Sequence, residues 1–274
     1  MLDAGERRLR SGVVVHVWTP REPHAVAVVQ HGYGEYAERF VQDHGRLVPR
    51  LVAAGFEVWA MDLWGHGESP GTRGVTHVGR AVRDHVEARR DASAVGLPVV
   101  LIGHSLGGLV TAGSVVDDPD GLAGVVLSSS SFPSEPQVVR RGLGLAARLV
   151  PQAPIPVRAS PISALSHDPD VVVRAARDPR MTHRQVPLVL AVTALDVMDE
   201  VRSRAPAWTV PTLVLHGSAD LYTDPQGSRD LFEAIASSDK TLRSVDGGFH
   251  ELFHDTDGDE LAEDVIAWAL ARTS

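Results

Sequence analysis

Gly103-His104-Ser105-Leu106-Gly107-Gly108 follows the apolar run Leu97 to Ile102 and precedes the helix-like stretch Leu109-Val110-Thr111-Ala112. Strand, sharp turn, helix is the setting in which G-x-S-x-G acts as a nucleophile elbow. The turn forces the serine into a strained conformation, and side chains two residues before and after it would collide with their neighbours. In a chain of this composition the bare pattern arises by chance roughly 0.2 times, so its flanks decide its meaning. Here both flanks agree, and Ser105 is a candidate nucleophile.

On either side of the elbow, short β-branched runs alternate with amphipathic stretches. Val13 to Trp18, Ala25 to Gln30, Glu57 to Met61, Val99 to Ile102, Gly124 to Leu127 and Thr212 to Leu215 have strand length, several nearly continuous as fully buried parallel strands are. Phe40 to Ala54, His77 to Val95, Leu106 to Val116, Gln226 to Ala236 and Glu260 to Arg272 carry apolar residues at helical spacing. The alternation predicts an α/β fold, a mostly parallel sheet flanked by helices on both faces.

From Phe132 to about Pro206 that rhythm stops, and prolines such as Pro151, Pro154, Pro161, Pro169 and Pro179 separate short helical pieces. An insertion of this length between two strands predicts a helical lid at 132–206 on a core made of 1–131 and 207–274. Within it Val138, Val139, Leu143, Leu145, Leu149 and Val150, with Arg140, Arg141 and Arg148, mark an apolar helix. It packs on its own domain or, in addition, meets a membrane or micelle surface transiently.

Composition narrows the partners. The 274 residues include 35 acidic and 26 basic side chains, a formal net charge of −9, 43% hydrophobic residues and no cysteine. A chain this apolar buries a real core. No basic block is present to bind phosphate backbones, so nucleic acid is not an expected partner. A thiol nucleophile, a disulfide framework and a thiolate metal site are excluded. The charged start Met1-Leu2-Asp3-Ala4-Gly5-Glu6-Arg7-Arg8 leads into no apolar run, which predicts a soluble cytoplasmic protein. Oligomeric state is not legible.

A serine hydroxyl needs a histidine base, and the base needs a carboxylate to fix its tautomer. After a strand–elbow–helix serine these follow in the order acid, then histidine. Asp220 follows the strand-like Leu213-Val214-Leu215-His216-Gly217, and His250 follows a second candidate strand, Lys240 to Val245. Only His250 and His254 come after Asp220. For the other histidines, among them His16, His24, His44, His77, His85, His167 and His183, a surface or supporting role is expected. Backbone N–H donors for an oxyanion would come from Leu106, next to the nucleophile, and from Tyr33 in the glycine-rich loop His31-Gly32-Tyr33-Gly34-Glu35.

A competing pattern overlaps the histidine. His250-Glu251-Leu252-Phe253-His254 matches the zinc-protease signature H-E-x-x-H, expected by chance only about 0.03 times. Zinc would need both histidines on one continuous helix, and Gly247-Gly248 stands just before the first. The acidic run Asp255 to Glu260 reads as a helix start with carboxylates in its first turn.

Several segments together resemble the α/β-hydrolase fold and, more narrowly, the monoacylglycerol lipase family. His31-Gly32-Tyr33-Gly34-Glu35-Tyr36-Ala37-Glu38-Arg39-Phe40 is similar to that family's oxyanion loop, and Asp62-Leu63-Trp64-Gly65-His66-Gly67-Glu68-Ser69-Pro70-Gly71-Thr72-Arg73-Gly74 to the loop that follows its next strand. Ala164 to Pro169 and Asp178-Pro179-Arg180 also resemble family segments, whereas Phe132 to Ser160, which shapes acyl-chain choice, carries no family signature. The resemblance implies a serine hydrolase acting on a lipid or small ester, most often a monoacylglycerol. Ser105, Asp220 and His250 would be catalytic, with no metal ion or organic cofactor. Glu35 and Arg39, four apart, would position the glycerol head or form a structural pair beside the loop. A broad carboxylesterase or lysophospholipase with the same triad, a zinc hydrolase using His250 and His254, and a non-catalytic ligand-binding relative are the alternatives.

Overall fold

The computed structural model describes residues 4–132, 137–155 and 160–273, with 137–142 by backbone alone. The side chains of Val138, Val139, Arg140 and Arg141 therefore lie outside the described residues. The chain forms strands β1 Gly5–Arg8, β2 Val14–Trp18, β3 Ala25–Gln30, β4 Phe56–Met61, β5 Val99–His104, β6 Leu122–Ser128, β7 Thr212–Gly217 and β8 Lys240–Val245. Its helices are α1 Arg39–Gln42, α2 Leu47–Ala53, α3 Val78–Ser93, α4 Leu106–Asp117, α5 Gln137–Leu149, α6 Pro169–Arg177, α7 Leu188–Arg204, α8 Pro225–Ala234 and α9 Gly258–Thr273.

All eight strands join one sheet in the order β1-β2-β4-β3-β5-β6-β7-β8. β2 pairs antiparallel with β1 and β4, and every pairing from β4 through β8 is parallel. Side chains alternate along the central strands. In β3, Val26 and Val28 enter an apolar layer with Val82 of α3, Leu109 of α4 and Met198 of α7. Ala25, Ala27 and Val29 enter the opposite layer with Leu51 of α2 and Val265 and Ile266 of α9. This two-sided burial explains why the parallel strands read as continuous apolar runs.

Parallel strands put their carboxyl ends on one edge, where β3, β5, β7 and β8 release the segments holding Tyr33, Ser105, Asp220 and His250. The segment between β6 and β7 carries α5, α6 and α7. Its last helix lays Leu190, Ala194, Met198 and Val201 into the same apolar layer as α3 and α4. Among the described residues no helix is long and apolar enough to cross a membrane.

Two elements differ from expectation. β1 carries no apolar alternation, and all four of its residues are exposed. The single helix expected over 40–54 is broken: His44, Gly45 and Arg46 all have positive φ between α1 and α2. The break lets Gly45 pack where a side chain would stand 3.1 Å from the Phe253 carbonyl oxygen, and it buries the His44 ring completely. Near the chain's end, α9 begins in the acidic run as expected, with Asp259 and Glu260 in its first turn.

Candidate active site

Ser105 occupies the one residue between β5 and α4, with φ 54° and ψ −122°. Positive φ in a side-chain-bearing residue is strained and persists only where the surroundings impose it. Here the imposition is visible: the Ser105 N–H donates to the Ser128 carbonyl at 3.0 Å, and its own carbonyl accepts from Ser131 N at 2.9 Å and Gly108 N at 3.0 Å. The elbow closes only because its flanks lack side chains. A Cβ at Gly103 would stand 2.5 Å from Thr111 Oγ1, and one at Gly107 would stand 2.3 Å from the Gln30 carbonyl oxygen.

The hydroxyl that this turn presents lies 3.0 Å from His250 Nε2, and His250 Nδ1 lies 2.8 Å from Asp220 Oδ2. The three predicted residues, 145 and 30 positions apart in sequence, form one hydrogen-bonded row. Asp220 sits in an acceptor-saturating loop. Its Oδ1 accepts from the amides of Tyr222 at 2.7 Å and Thr223 at 3.1 Å, and its Oδ2 also accepts from Thr223 Oγ1 at 2.7 Å. His216 Nε2 stands 3.2 Å away. Burial pushes the Asp220 carboxyl up, but hydrogen bonds from His216, His250 and Thr223 outweigh it and hold the group well below the usual carboxylate range. An ionised Asp220 fixes the proton of His250 on Nδ1 and leaves Nε2 as the acceptor for Ser105.

The loop after β3 closes the other side. Gly32 is so near the nucleophile that a Cβ there would stand 2.9 Å from Ser105 Cβ. His31 braces this loop: its Nδ1 donates to the Gly32 carbonyl at 2.7 Å, and its Nε2 accepts from Leu63 N at 3.0 Å. The Tyr33 hydroxyl donates to the Arg184 carbonyl at 3.2 Å, and Thr182 N donates to the Gly34 carbonyl at 2.8 Å. The insertion is thus pinned to the loop that carries Tyr33.

Glu35 and Arg39 are placed differently from the expected contact with a glycerol head. Both are buried. Glu35 Oε1 accepts from Gly32 N at 2.7 Å, and Oε2 accepts from Arg39 and His44, both at 2.8 Å. Arg39 also donates to both oxygens of Glu251, at 2.8 and 3.1 Å, and its Nε stands 3.6 Å from Asp43. They are an internal pair beside the loop, the other reading that their spacing allowed.

The zinc pattern dissolves for a related reason. His250 faces Asp220 and Ser105, whereas His254 Nδ1 bonds Glu251 Oε2 at 2.7 Å. The stretch is not a continuous helix: only Leu252–His254 form a short 3-10 turn. Of the other histidines, for which a surface or supporting role was expected, His16, His44 and His85 are among those that are buried. Three neighbours of the row went unpredicted, namely His216, Tyr222 and Thr223. Their only sequence signal is their place within four residues of Asp220.

Residues 21–257 match the family described as serine aminopeptidase, S33. The chain is 33% identical to a monoacylglycerol lipase of Mycolicibacterium smegmatis over 95% of this chain and 93% of that protein. It is 31% identical to the monoglyceride lipase of Homo sapiens over 94% of this chain and 86% of that protein. The crystal structure of Paleococcus ferrophilus monoacylglycerol lipase superposes with a TM-score of 0.82 at 32% identity, covering 95% of this chain and 99% of that one. Likeness of sequence and of fold extends along nearly the whole chain, and the protein belongs to the monoacylglycerol lipase family of α/β-hydrolases.

Proposed function

We propose that this protein hydrolyses monoacylglycerols to glycerol and free fatty acid through an acyl-enzyme on Ser105. The observation that carries the reading is the row Ser105–His250–Asp220, spaced for proton transfer at 3.0 and 2.8 Å. Ser105 Oγ attacks the ester carbonyl while His250 Nε2 takes its proton. The carbonyl oxygen becomes an oxyanion that the amides of Tyr33 and Leu106 receive; neither amide has a hydrogen-bond partner among the described residues. Collapse expels the glycerol oxygen, protonated by His250, and leaves the acyl group on Ser105. Water then loses a proton to His250, attacks the acyl carbonyl and releases the fatty acid, and the proton returns to Ser105.

The insertion 132–206 serves in this reading as the lid, and its outer face supports a transient meeting with lipid. Leu145 and Leu149, four apart on α5, are 64% and 76% exposed, with Val150 52% exposed beside the exposed Arg148. A cavity of about 760 Å³ is lined by residues of α5 and α7, among them Leu145, Val189, Val192 and Leu195 together with Arg148 and Asp196. An apolar patch with a cation at its edge suits an ester-bearing aggregate.

Fatty-acid release from monoacylglycerols, matched diacylglycerols, triacylglycerols and lysophospholipids, with Ser105→Ala as the blank, tests the proposal. Preference for monoacylglycerol is expected, together with covalent labelling of the native chain alone by a serine-directed phosphonate. Full turnover in Ser105→Ala would overturn the mechanism, and hydrolysis of small soluble esters alone would overturn the substrate.

A further inference from the structure

We infer that the buried ion bridge Glu35–Arg39–Glu251 is a positioning device that holds the oxyanion loop in register with the catalytic histidine, an inference that rests on the serine-esterase reading above. The bridge begins at the backbone of one catalytic segment and ends at the backbone of another. Glu35 Oε1 accepts the Gly32 N–H at 2.7 Å, one residue before the proposed oxyanion donor Tyr33. Glu35 Oε2 meets Arg39 at 2.8 Å, and Arg39 grips both oxygens of Glu251 at 2.8 and 3.1 Å. Glu251 is the residue after His250, and its own N–H donates to the Leu165 carbonyl at 2.8 Å. Each carboxylate is bonded to, or part of, the segment that carries a reacting group.

Burial makes the bridge stiff. Glu35, Arg39 and Glu251 are 3%, 2% and 3% exposed. Burial pushes both carboxyls up, but His44 and Arg39 at Glu35, and Arg39 and His254 at Glu251, hold both well below the usual carboxylate range. All three groups are charged, and a planar guanidinium shared between two carboxylates fixes their separation in a way a lysine ammonium would not. His44 and His254 complete the set. His44 Nε2 bonds Glu35 at 2.8 Å, His254 Nδ1 bonds Glu251 at 2.7 Å, and the two rings stack with centroids 4.5 Å apart.

Stability alone is a poor reason for this arrangement. Desolvating buried ions costs so much that apolar side chains of similar volume often serve a fold as well or better. What apolar packing cannot do is set a distance between two loops through directed bonds. The H-E-x-x-H pattern, rarer by chance than the elbow motif, gains an account here: His250 is the base, while Glu251 and His254 belong to the bridge that registers it.

The test compares native chain, Glu251→Gln, and the triple variant Glu35→Gln/Arg39→Met/Glu251→Gln. In the triple variant acceptors for the Gly32 N–H and for His254 Nδ1 remain, the link to the histidine is cut, and Asp43, which loses Arg39, keeps Arg174. The readouts are kcat and KM on a soluble short-chain ester and on a monoacylglycerol, the rate of phosphonate attachment to Ser105, and thermal unfolding. The expected result is a kcat lowered roughly 100-fold in both variants, as for a displacement near 1 Å. KM should stay within about threefold, phosphonate attachment should slow in parallel, and the triple variant should unfold at or above the native temperature. A triple variant that is stable with kcat within about threefold of native overturns the inference. So does one that cannot match native stability, because the bridge would then be required for folding. Failure of the native chain to release fatty acid or take the phosphonate would instead overturn the esterase reading.

Discussion

Tyr222 lies stacked on the ring of His250, centroids 4.9 Å apart and planes 22° from parallel, while its hydroxyl donates to the Pro161 carbonyl at 3.1 Å. The same residue's amide bonds Asp220 Oδ1 at 2.7 Å, and Ser160 Oγ reaches the neighbouring Leu221 carbonyl at 2.6 Å. One side chain therefore touches the base, one amide holds the acid, and one hydroxyl reaches the inserted segment. A stack of this kind contributes about 0.5–1.5 kcal/mol. Tyr222→Ala is expected to lower kcat by roughly 2- to 10-fold, whereas Tyr222→Phe keeps the ring and should hold kcat within about twofold. Steady-state kinetics on a soluble ester checks both.

Gly32→Ala isolates the approach of the oxyanion loop. The φ of Gly32 lies outside the left-handed region, so the added methyl brings no backbone strain. It would stand 2.9 Å from Ser105 Cβ, 3.0 Å from Glu35 Oε1 and 3.3 Å from Ser105 Oγ. The loop must shift to admit it, and a displaced oxyanion donor costs about 10²- to 10³-fold in kcat. A variant with native circular dichroism and native kcat would show that the loop is not part of the reacting site.

Acid should weaken the fold through its buried histidines before it reaches the carboxylates. Burial lowers His66, His85 and His104 to about 3 each, reinforced by His31 at His66, Arg89 at His85 and His250 at His104. Between the unfolded value near 6.5 and about 3, the unfolded chain binds protons that the folded chain refuses. Stability therefore falls as pH drops through that window, by up to about 1.4 kcal/mol per pH unit for each group. Glu35, Asp62, Asp220 and Glu251 are held below the usual range. Folded-state stabilisation from these carboxylates is present above the unfolded value near 4 and is lost only below it. His85 gives the cleanest test, since both its ring nitrogens are buried without a hydrogen-bond partner among the described residues. His85→Leu should gain about 2 kcal/mol more at pH 5 than at pH 8, measured by urea unfolding; an equal gain at both values would refute the account.

The apolar face of α5 makes a separable prediction. Leu145→Glu/Leu149→Glu removes its two most exposed leucines on one side of the helix. Cosedimentation with monoacylglycerol-containing vesicles should weaken about 10-fold or more, and KM for the dispersed lipid should rise with it. Kinetics on a short soluble ester should be unchanged, because both side chains are largely exposed. Unaltered vesicle binding would show that this face does not meet lipid.

What was legible in the sequence was local or repetitive. Gly103 and Gly107 flank Ser105 because a turn of five residues leaves no room for a Cβ, and that constraint is written within the turn itself. Val26 to Val29 read as a strand because both faces of the sheet are buried. Asp220 and His250 could be nominated once the elbow was recognised, because the motif sets the order acid then histidine and parallel strands deliver their carboxyl ends to one edge. β1 was invisible because its side chains are exposed and only its backbone pairs with β2. The helix break at His44 was missed although Gly45 stands within it, because one glycine does not tell whether a helix continues, and Phe253, against which Gly45 packs, lies far along the chain. Glu35, Arg39, Glu251 and His254 carried misleading local patterns for the same reason. Arg39 meets Glu251 across 212 positions of chain, and no spacing within either segment encodes that meeting. Local sterics and burial period belong to the sequence; the partner of a buried charge is decided only when the folded sheet brings two loops together.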